Sequence, residues 1–135
     1  MAISTERDLT DFLLTYTRDM SLSDEEPGAI LDRYFVPDFV FRNDGLDIDR
    51  QRMIEHVRPV RRQVDAETMA AHETTGLDIH DTLVRDDRFA ARYTMRTTMR
   101  KGKIFAAEIH MFGRLAADGR ILRIDQITRQ LDDDQ

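Results

Sequence analysis

The sequence predicts an α+β domain in which a curved antiparallel sheet packs on three N-terminal helices. Three observations carry that expectation. Apolar residues recur at helical spacing as far as Val60, and from Leu77 onward the apolar period falls to two. Asp118-Gly119, the strongest hairpin signal in the chain, joins the last two extended runs.

The first helix is expected over Ser4 to Met20, where Leu9, Phe12, Leu13, Tyr16 and Met20 make one apolar stripe. Ser4 or Thr5 supplies its N-cap, and Glu6 and Asp8 suit the positive pole of its dipole. A second helix follows Ser23-Asp24-Glu25-Glu26-Pro27, with Pro27 in the first turn, where a missing N–H costs nothing. It buries Ile30, Leu31, Tyr34 and Phe35 and ends at Pro37. Phe39-Val40-Phe41 reads as a short strand closed by the turn Asn43-Asp44-Gly45. Asp49 caps a third helix that presents Met53, Ile54, Val57 and Val60 on one face, and Pro59 kinks or ends it. Four extended segments follow: Leu77 to Val84, Arg88 to Met99, Ile104 to Leu115 and Arg120 to Gln130. Their connections are Arg85-Asp86-Asp87, a turn around Lys101-Gly102, and Asp118-Gly119. The acidic run Asp132 to Asp134 is expected to fray.

Alternation then assigns faces. A two-residue turn at Asp118-Gly119 pairs Leu115 with Leu122 and Met111 with Gln126, and a three-residue turn after Arg100 pairs Met95 with Ile109. The face toward the helices then holds Phe89, Tyr93, Met95, Ile109, Met111, Leu122, Ile124, Gln126 and Thr128. Arg92, Glu108, His110, Phe112, Asp125 and Ile127 fall on the other face. A turn of even length at Lys101-Gly102, or a bulge, reverses part of this and turns Tyr93, Glu108 and His110 to one side.

Bulk properties narrow the function classes. The 135 residues suit a single domain spanning 1–135. A net charge of −6, with arginines spread along the chain, argues against nucleic acid as a partner. The chain has no cysteine, which removes disulfides, thiolate metal sites and cysteine nucleophiles. No apolar run approaches the roughly 20 residues of a membrane helix, and Glu6, Arg7 and Asp8 precede any apolar run, so a cytoplasmic protein without a membrane partner is expected. His56, His72, His80 and His110 lack metal-ligand spacing, and His72-Glu73 has no second histidine to complete a zinc motif. Neither a phosphate loop nor a nucleophile elbow is present, so no metal or cofactor is expected.

The element order, together with the closing segment Phe112 to Gln130 and its hairpin Ala117-Asp118-Gly119-Arg120-Ile121, resembles the nuclear transport factor 2-like superfamily in its SnoaL-like and ketosteroid-isomerase-like branch. The resemblance spans nearly the whole chain and implies a cone-shaped, cystatin-like half-barrel. The mouth of such a cone takes small, often apolar molecules, and its outer sheet face often makes homodimers. Ketosteroid isomerases in this group use a base near the end of the first strand, with an oxyanion hole built from a helix tyrosine and a protonated strand aspartic acid. Tyr16 stands at the tyrosine position, but Asn43 stands at the base position, with Asp44 one residue away, and Met111 stands at the aspartic acid position. Neither Asn43 nor Met111 supplies the required proton chemistry, so this chain departs from ketosteroid isomerisation.

The expected ligand is a small apolar molecule. Its contacts are Tyr16, Asn43, Tyr93, Met95, Met111 and Gln126, and if the chain is an enzyme, His110 or Asp125 is its acid/base. The alternative for Tyr16 and Tyr93 is a core phenol, and for Gln126 a structural hydrogen bond. For His110 and Asp125 it is a solvated or dimer-contacting face with arginine partners. The competing function is a non-catalytic ligand-binding or dimerisation module of the same fold.

Overall fold

The computed structural model describes residues 2–72 and 76–131. Glu73 of the His72-Glu73 pair and the run Asp132 to Asp134 lie outside the described residues. Helix α1 (Glu6–Leu22) starts with a capping box: the Thr5 hydroxyl accepts from the Asp8 amide, and the Asp8 carboxylate accepts from the Thr5 amide. Helix α2 (Pro27–Tyr34) and strand β1 (Phe35–Asn43) follow, then the short β2 (Leu46–Asp47). Helix α3 (Arg50–Gln63) is capped by the Asp49 side chain, and α4 (Ala66–Ala71) by that of Asp65. Strands β3 (Leu77–Arg85), β4 (Arg88–Thr98), β5 (Ile104–Leu115) and β6 (Ile121–Leu131) complete the chain.

The strands form one curled, unclosed sheet in the order β2-β1-β6-β5-β4-β3, with the helices on its concave face. All neighbours are antiparallel except β1 and β6, which run parallel. The expected curved antiparallel sheet is thus present, with one parallel pair between strands that no hairpin joins, since a hairpin fixes direction only between consecutive strands. Two helix boundaries also differ from expectation. Helix α2 stops at Tyr34, and Pro37 lies inside β1, where the ladder to β6 lapses between Phe35 and Val40 and no amide is needed. Helix α3 continues through Pro59 to Gln63, and the Arg61 guanidinium donates to the Asp19 and Met20 carbonyls at the end of α1, tying the two helices together.

Register sets the faces. Tyr93 pairs with Ile109 and Met95 with Ala107, two residues from the expected pairing. The cause is the place of the turn: Arg100–Gly102, closed by the Met99 amide donating to the Lys103 carbonyl, starts one residue earlier than expected, with Lys101 and Gly102 at φ of 74° and 78°. A shift of two keeps every side chain on its face. Between β5 and β6, Met111 pairs with Gln126 as expected, but a bulge after Arg114 pairs Leu115 with Ile121. Ile121 therefore fills the core, and Leu122, expected inside, is exposed.

The core is centred on Phe12, Leu9, Ile30, Leu31, Phe35, Ile121 and Ile124, all fully buried. Each such side chain contributes about 2–3 kcal/mol through removal from water. Phe12 lies edge-on to Tyr34 at 5.1 Å and against Tyr16 at 5.3 Å, and Phe35 meets Phe39 at 4.8 Å. Gly113 sits opposite Phe89, whose ring covers it so closely that a Cβ there would stand 1.9 Å from the Phe89 Cζ. No helix among the described residues is long and apolar enough to cross a membrane. Gly113→Ala should lower the unfolding free energy by about 1–3 kcal/mol. Urea denaturation checks this, and a midpoint equal to the parent's would show that the ring moves aside without cost.

Candidate functional site

Cross-strand rows on the concave face gather the expected ligand contacts. Asn43, Gln126 and Met111 occupy one row across β1, β6 and β5, and Thr128, Ile109 and Tyr93 occupy the next across β6, β5 and β4. Met95 follows one row further along β4. Tyr16 descends on them from α1, packed on Phe12 and on Phe35, the latter at 5.7 Å. All six residues, Tyr16, Asn43, Tyr93, Met95, Met111 and Gln126, thus share the interior of the cone. Phe41 and Met53, which were not singled out from the sequence, join its partly buried wall. Phe41 was readable from its alternation with Phe39 and Asn43 along β1.

Polar groups in this interior divide into satisfied and unsatisfied. The Thr128 hydroxyl donates to Asn43 Oδ1 at 2.9 Å, and the Thr128 amide donates to Asp44 Oδ1 at 2.9 Å, which fastens the end of β1 to β6. Gln126 Oε1 is buried and has no hydrogen-bond partner among the described residues. Burial pushes the Tyr16 phenol well above the usual tyrosine range, and the nearby Tyr93 adds to the shift. Burial does the same to Tyr93. Both hydroxyls therefore stay protonated near neutral pH and can donate. Apart from the tyrosines, Thr94 is the only polar residue buried among the described residues, so no carboxylate, imidazole, ammonium or guanidinium group among them is sealed in the core.

His110 and Asp125 stand on the convex face, with strand parity opposite to that of Tyr93 and Gln126. The His110 Nε2 lies 2.9 Å from Glu108 Oε1, with the side chain 51% exposed. Asp125 accepts two bonds from Arg123, at 2.7 and 3.0 Å. Both residues thus lie on the face that alternation assigns them, away from the interior contacts that an acid/base role would require them to reach. His56 and His72 are exposed, and His80 Nε2 meets the Thr94 hydroxyl at 2.7 Å. Among the described residues no group of three histidines or carboxylates converges as a metal site would require.

The convex face also carries a chain of charges, from Asp81 to Arg92 at 2.9 Å and on to Glu108 at 3.9 Å. Phe112 and Ile127 stand beside it, 68% and 64% exposed. Two shallow hollows flank Phe112, one toward Arg88, Arg114 and Arg123 and the other toward Arg42, His110 and Ile127.

No family model matches the chain, and no curated protein matches it in sequence. Solved structures do match in shape. AclR of Streptomyces galilaeus, provisionally described as a hydroxylase, superposes with a TM-score of 0.66 at 12% identity, over 93% of this chain and 77% of that one. The de novo designed nuclear transport factor 2 fold protein NT-9 gives 0.58 at 14% identity, over 99% and 91%. A protein from Jannaschia, provisionally described as a SnoaL-like polyketide cyclase, gives 0.59 at 9% identity, over 95% and 89%. The chain therefore has the nuclear transport factor 2-like fold, shared with SnoaL-like and ketosteroid-isomerase-like proteins.

Electrostatics of the convex face give a pH dependence. The hydrogen bond from His110 holds the Glu108 carboxyl below the usual glutamate range, and that from Arg123 holds Asp125 below the usual aspartate range. Carboxylates depressed in the folded state stabilise it above their unfolded pKa and lose that contribution as pH falls through the folded value. Acid unfolding followed by circular dichroism should thus show a smaller loss of stability below the ordinary carboxylate range in Glu108→Gln and Asp125→Asn. A parent-like acid limb in both variants would refute the assignment.

Proposed function

We propose that this protein, a chain of nuclear transport factor 2-like fold, is a small-molecule binding module. Its cone holds a neutral, flat apolar ring compound through Tyr16, Tyr93 and Gln126. The observation that carries this reading is the orphaned Gln126 Oε1. A buried acceptor left unmade costs about 1–3 kcal/mol, and a ligand hydroxyl or N–H reaching it offsets that cost. The two protonated phenols supply donors for a ligand carbonyl or ether oxygen, while Met95 and Met111 provide adaptable apolar walls. Neutral anchors suit retention of a neutral ligand, and acid–base turnover needs an ionisable group within reach.

A second reading is cofactor-free isomerisation, cyclisation, dehydration or hydrolysis of such a compound. It is favoured by the adjacent phenols, which also suit a developing enolate oxygen. Saturation-transfer NMR with a panel of uncharged polycyclic phenols and ketones separates the readings from a null result. Binding is expected without turnover, weakened about 5- to 30-fold by Tyr93→Phe or Gln126→Leu. Retained affinity in both variants would remove the interior as the site. Product formation with a pH-dependent rate would establish the second reading instead.

The partner proposed for the convex face is a second copy of the chain, centred on Ile127, which lies on the far side of Phe112 from the arginine row. An exposed apolar centre rimmed by ion pairs has the anatomy of a protein interface. Sedimentation equilibrium should show a dimer that Ile127→Asp converts to monomer. A monomeric parent at about 100 μM, where even a weak specific dimer of micromolar Kd is filled, would exclude it.

A further inference from the structure

Four arginines that are scattered in sequence stand in one cross-strand row on the convex face. Arg85 pairs with Arg88 across β3 and β4, Arg88 with Arg114 across β4 and β5, and Arg114 with Arg123 across β5 and β6. Residues directly opposite in a ladder share a face, and neighbouring strands lie only about 4.8 Å apart. Like charges in that arrangement destabilise the sheet. Arg123 is neutralised by its two bonds to Asp125. Arg85, Arg88 and Arg114 form no ion pair among the described residues, although Asp86 and Asp87 occupy the adjoining turn.

Three members of the row, Arg88, Arg114 and Arg123, border a shallow, open hollow of about 390 Å³ together with Asp125, whose carboxylate is held by Arg123, and the exposed Phe112 ring forms another part of its wall. Two guanidinium groups without acceptors, each a fork of N–H donors, fit the oxygens of a phosphate or carboxylate. The Phe112 ring offers a flat apolar surface to whatever carries those oxygens.

We propose that this hollow is a second ligand site, which takes the oxyanion of a small phosphate or carboxylate compound on Arg88 and Arg114 and rests its apolar body on Phe112. The site is on the opposite side of the sheet from Tyr16, Tyr93 and Gln126, so it stands or falls independently of the interior site. Its net positive charge arises within a chain of net charge −6, so the preference is local and selects a compact anion over an extended polyanion.

Scanning calorimetry of the full chain with phenyl phosphate, against sodium chloride at matched ionic strength, tests the proposal. Phenyl phosphate is expected to raise Tm saturably, by about 5 °C at ten times its Kd, with chloride giving a smaller, unsaturating rise from screening alone. Arg114→Gln should abolish the phosphate-dependent rise while leaving the ligand-free Tm at or above that of the parent, because two like-charge pairs are relieved. Phe112→Ala should weaken phenyl phosphate binding more than binding of inorganic phosphate. Tyr93→Phe should leave the rise intact. The proposal is overturned if chloride reproduces the rise, if Arg114→Gln retains it, or if Arg114→Gln lowers the ligand-free Tm and so reveals a purely structural arginine. It is equally overturned if phenyl phosphate has no effect while Arg114→Gln weakens self-association, which would make the row a contact between copies of the chain.

Discussion

The parity of the β4–β5–β6 ladder is the constraint on which the rest of this molecule depends. Tyr93, Ile109, Met111, Ile124 and Gln126 face the helices only because their strands are paired in the observed register. The Arg100–Gly102 turn keeps three residues but starts one residue earlier than expected, which moves the register by two, so nothing changes sides. One residue more or less would drive Glu108 and His110 toward the core and expose Ile109 and Met111. Burying that carboxylate unpaired costs several kcal/mol, in addition to the lost apolar burial. The turn is therefore free in length but not in parity, and the left-handed Lys101 and Gly102 are the positions where that condition is met.

Within the parity so fixed, the concave face is apolar with a few neutral polar groups. Asn43 and Thr128 satisfy one another across the parallel β1–β6 pair, and Asp44 seals the strand end through the Thr128 amide. These bonds explain part of the polarity as structural. Gln126 is different: it lies in the same row as Asn43, beyond reach of a partner, with its acceptor buried. A core under selection for stability alone would hold an apolar residue there, since a carbon side chain of similar volume avoids the desolvation cost. The unpartnered Gln126 acceptor, on the same face of the sheet as the Tyr93 phenol that burial keeps protonated, is the feature from which the proposed binding role is argued.

Most of the fold was legible because its signals are local. The strand Ile104–Leu115 follows from alternation and the hairpin at Asp118-Gly119 from turn chemistry, and the third helix starts at the Asp49 cap. What escaped was non-local or too short to have a period. Helix α4, Ala66–Ala71, is too brief to show an apolar stripe. The parallel β1–β6 pairing joins segments with no turn between them, and the bulge that puts Ile121 rather than Leu122 into the core leaves no mark in composition. Which strand side chains face the helices was readable because parity survives a two-residue error in register. The same parity places His110 and Asp125 outside, where Glu108 and Arg123 occupy them.

The arginine row shows how a charge distribution can be invisible in sequence and plain in the fold. Along the chain, Arg85, Arg88, Arg114 and Arg123 are dispersed among acidic neighbours, and the global charge of −6 points away from anions. Pairing of four successive strands through three hairpins collapses those separations to the spacing between strands. The Asp86-Asp87 turn shows that acids are at hand in the chain, yet they do not pair with the row. Sheet surfaces ordinarily alternate opposite charges across strands, as Asp81, Arg92 and Glu108 do a few residues away on the same face. Two solutions to the same electrostatic problem on one surface imply different demands. Where ion pairs close the ladder, stability is served. Where guanidinium groups are left facing one another around a hollow, stability has been given up locally, and that local cost is the observation on which the proposed anion site rests.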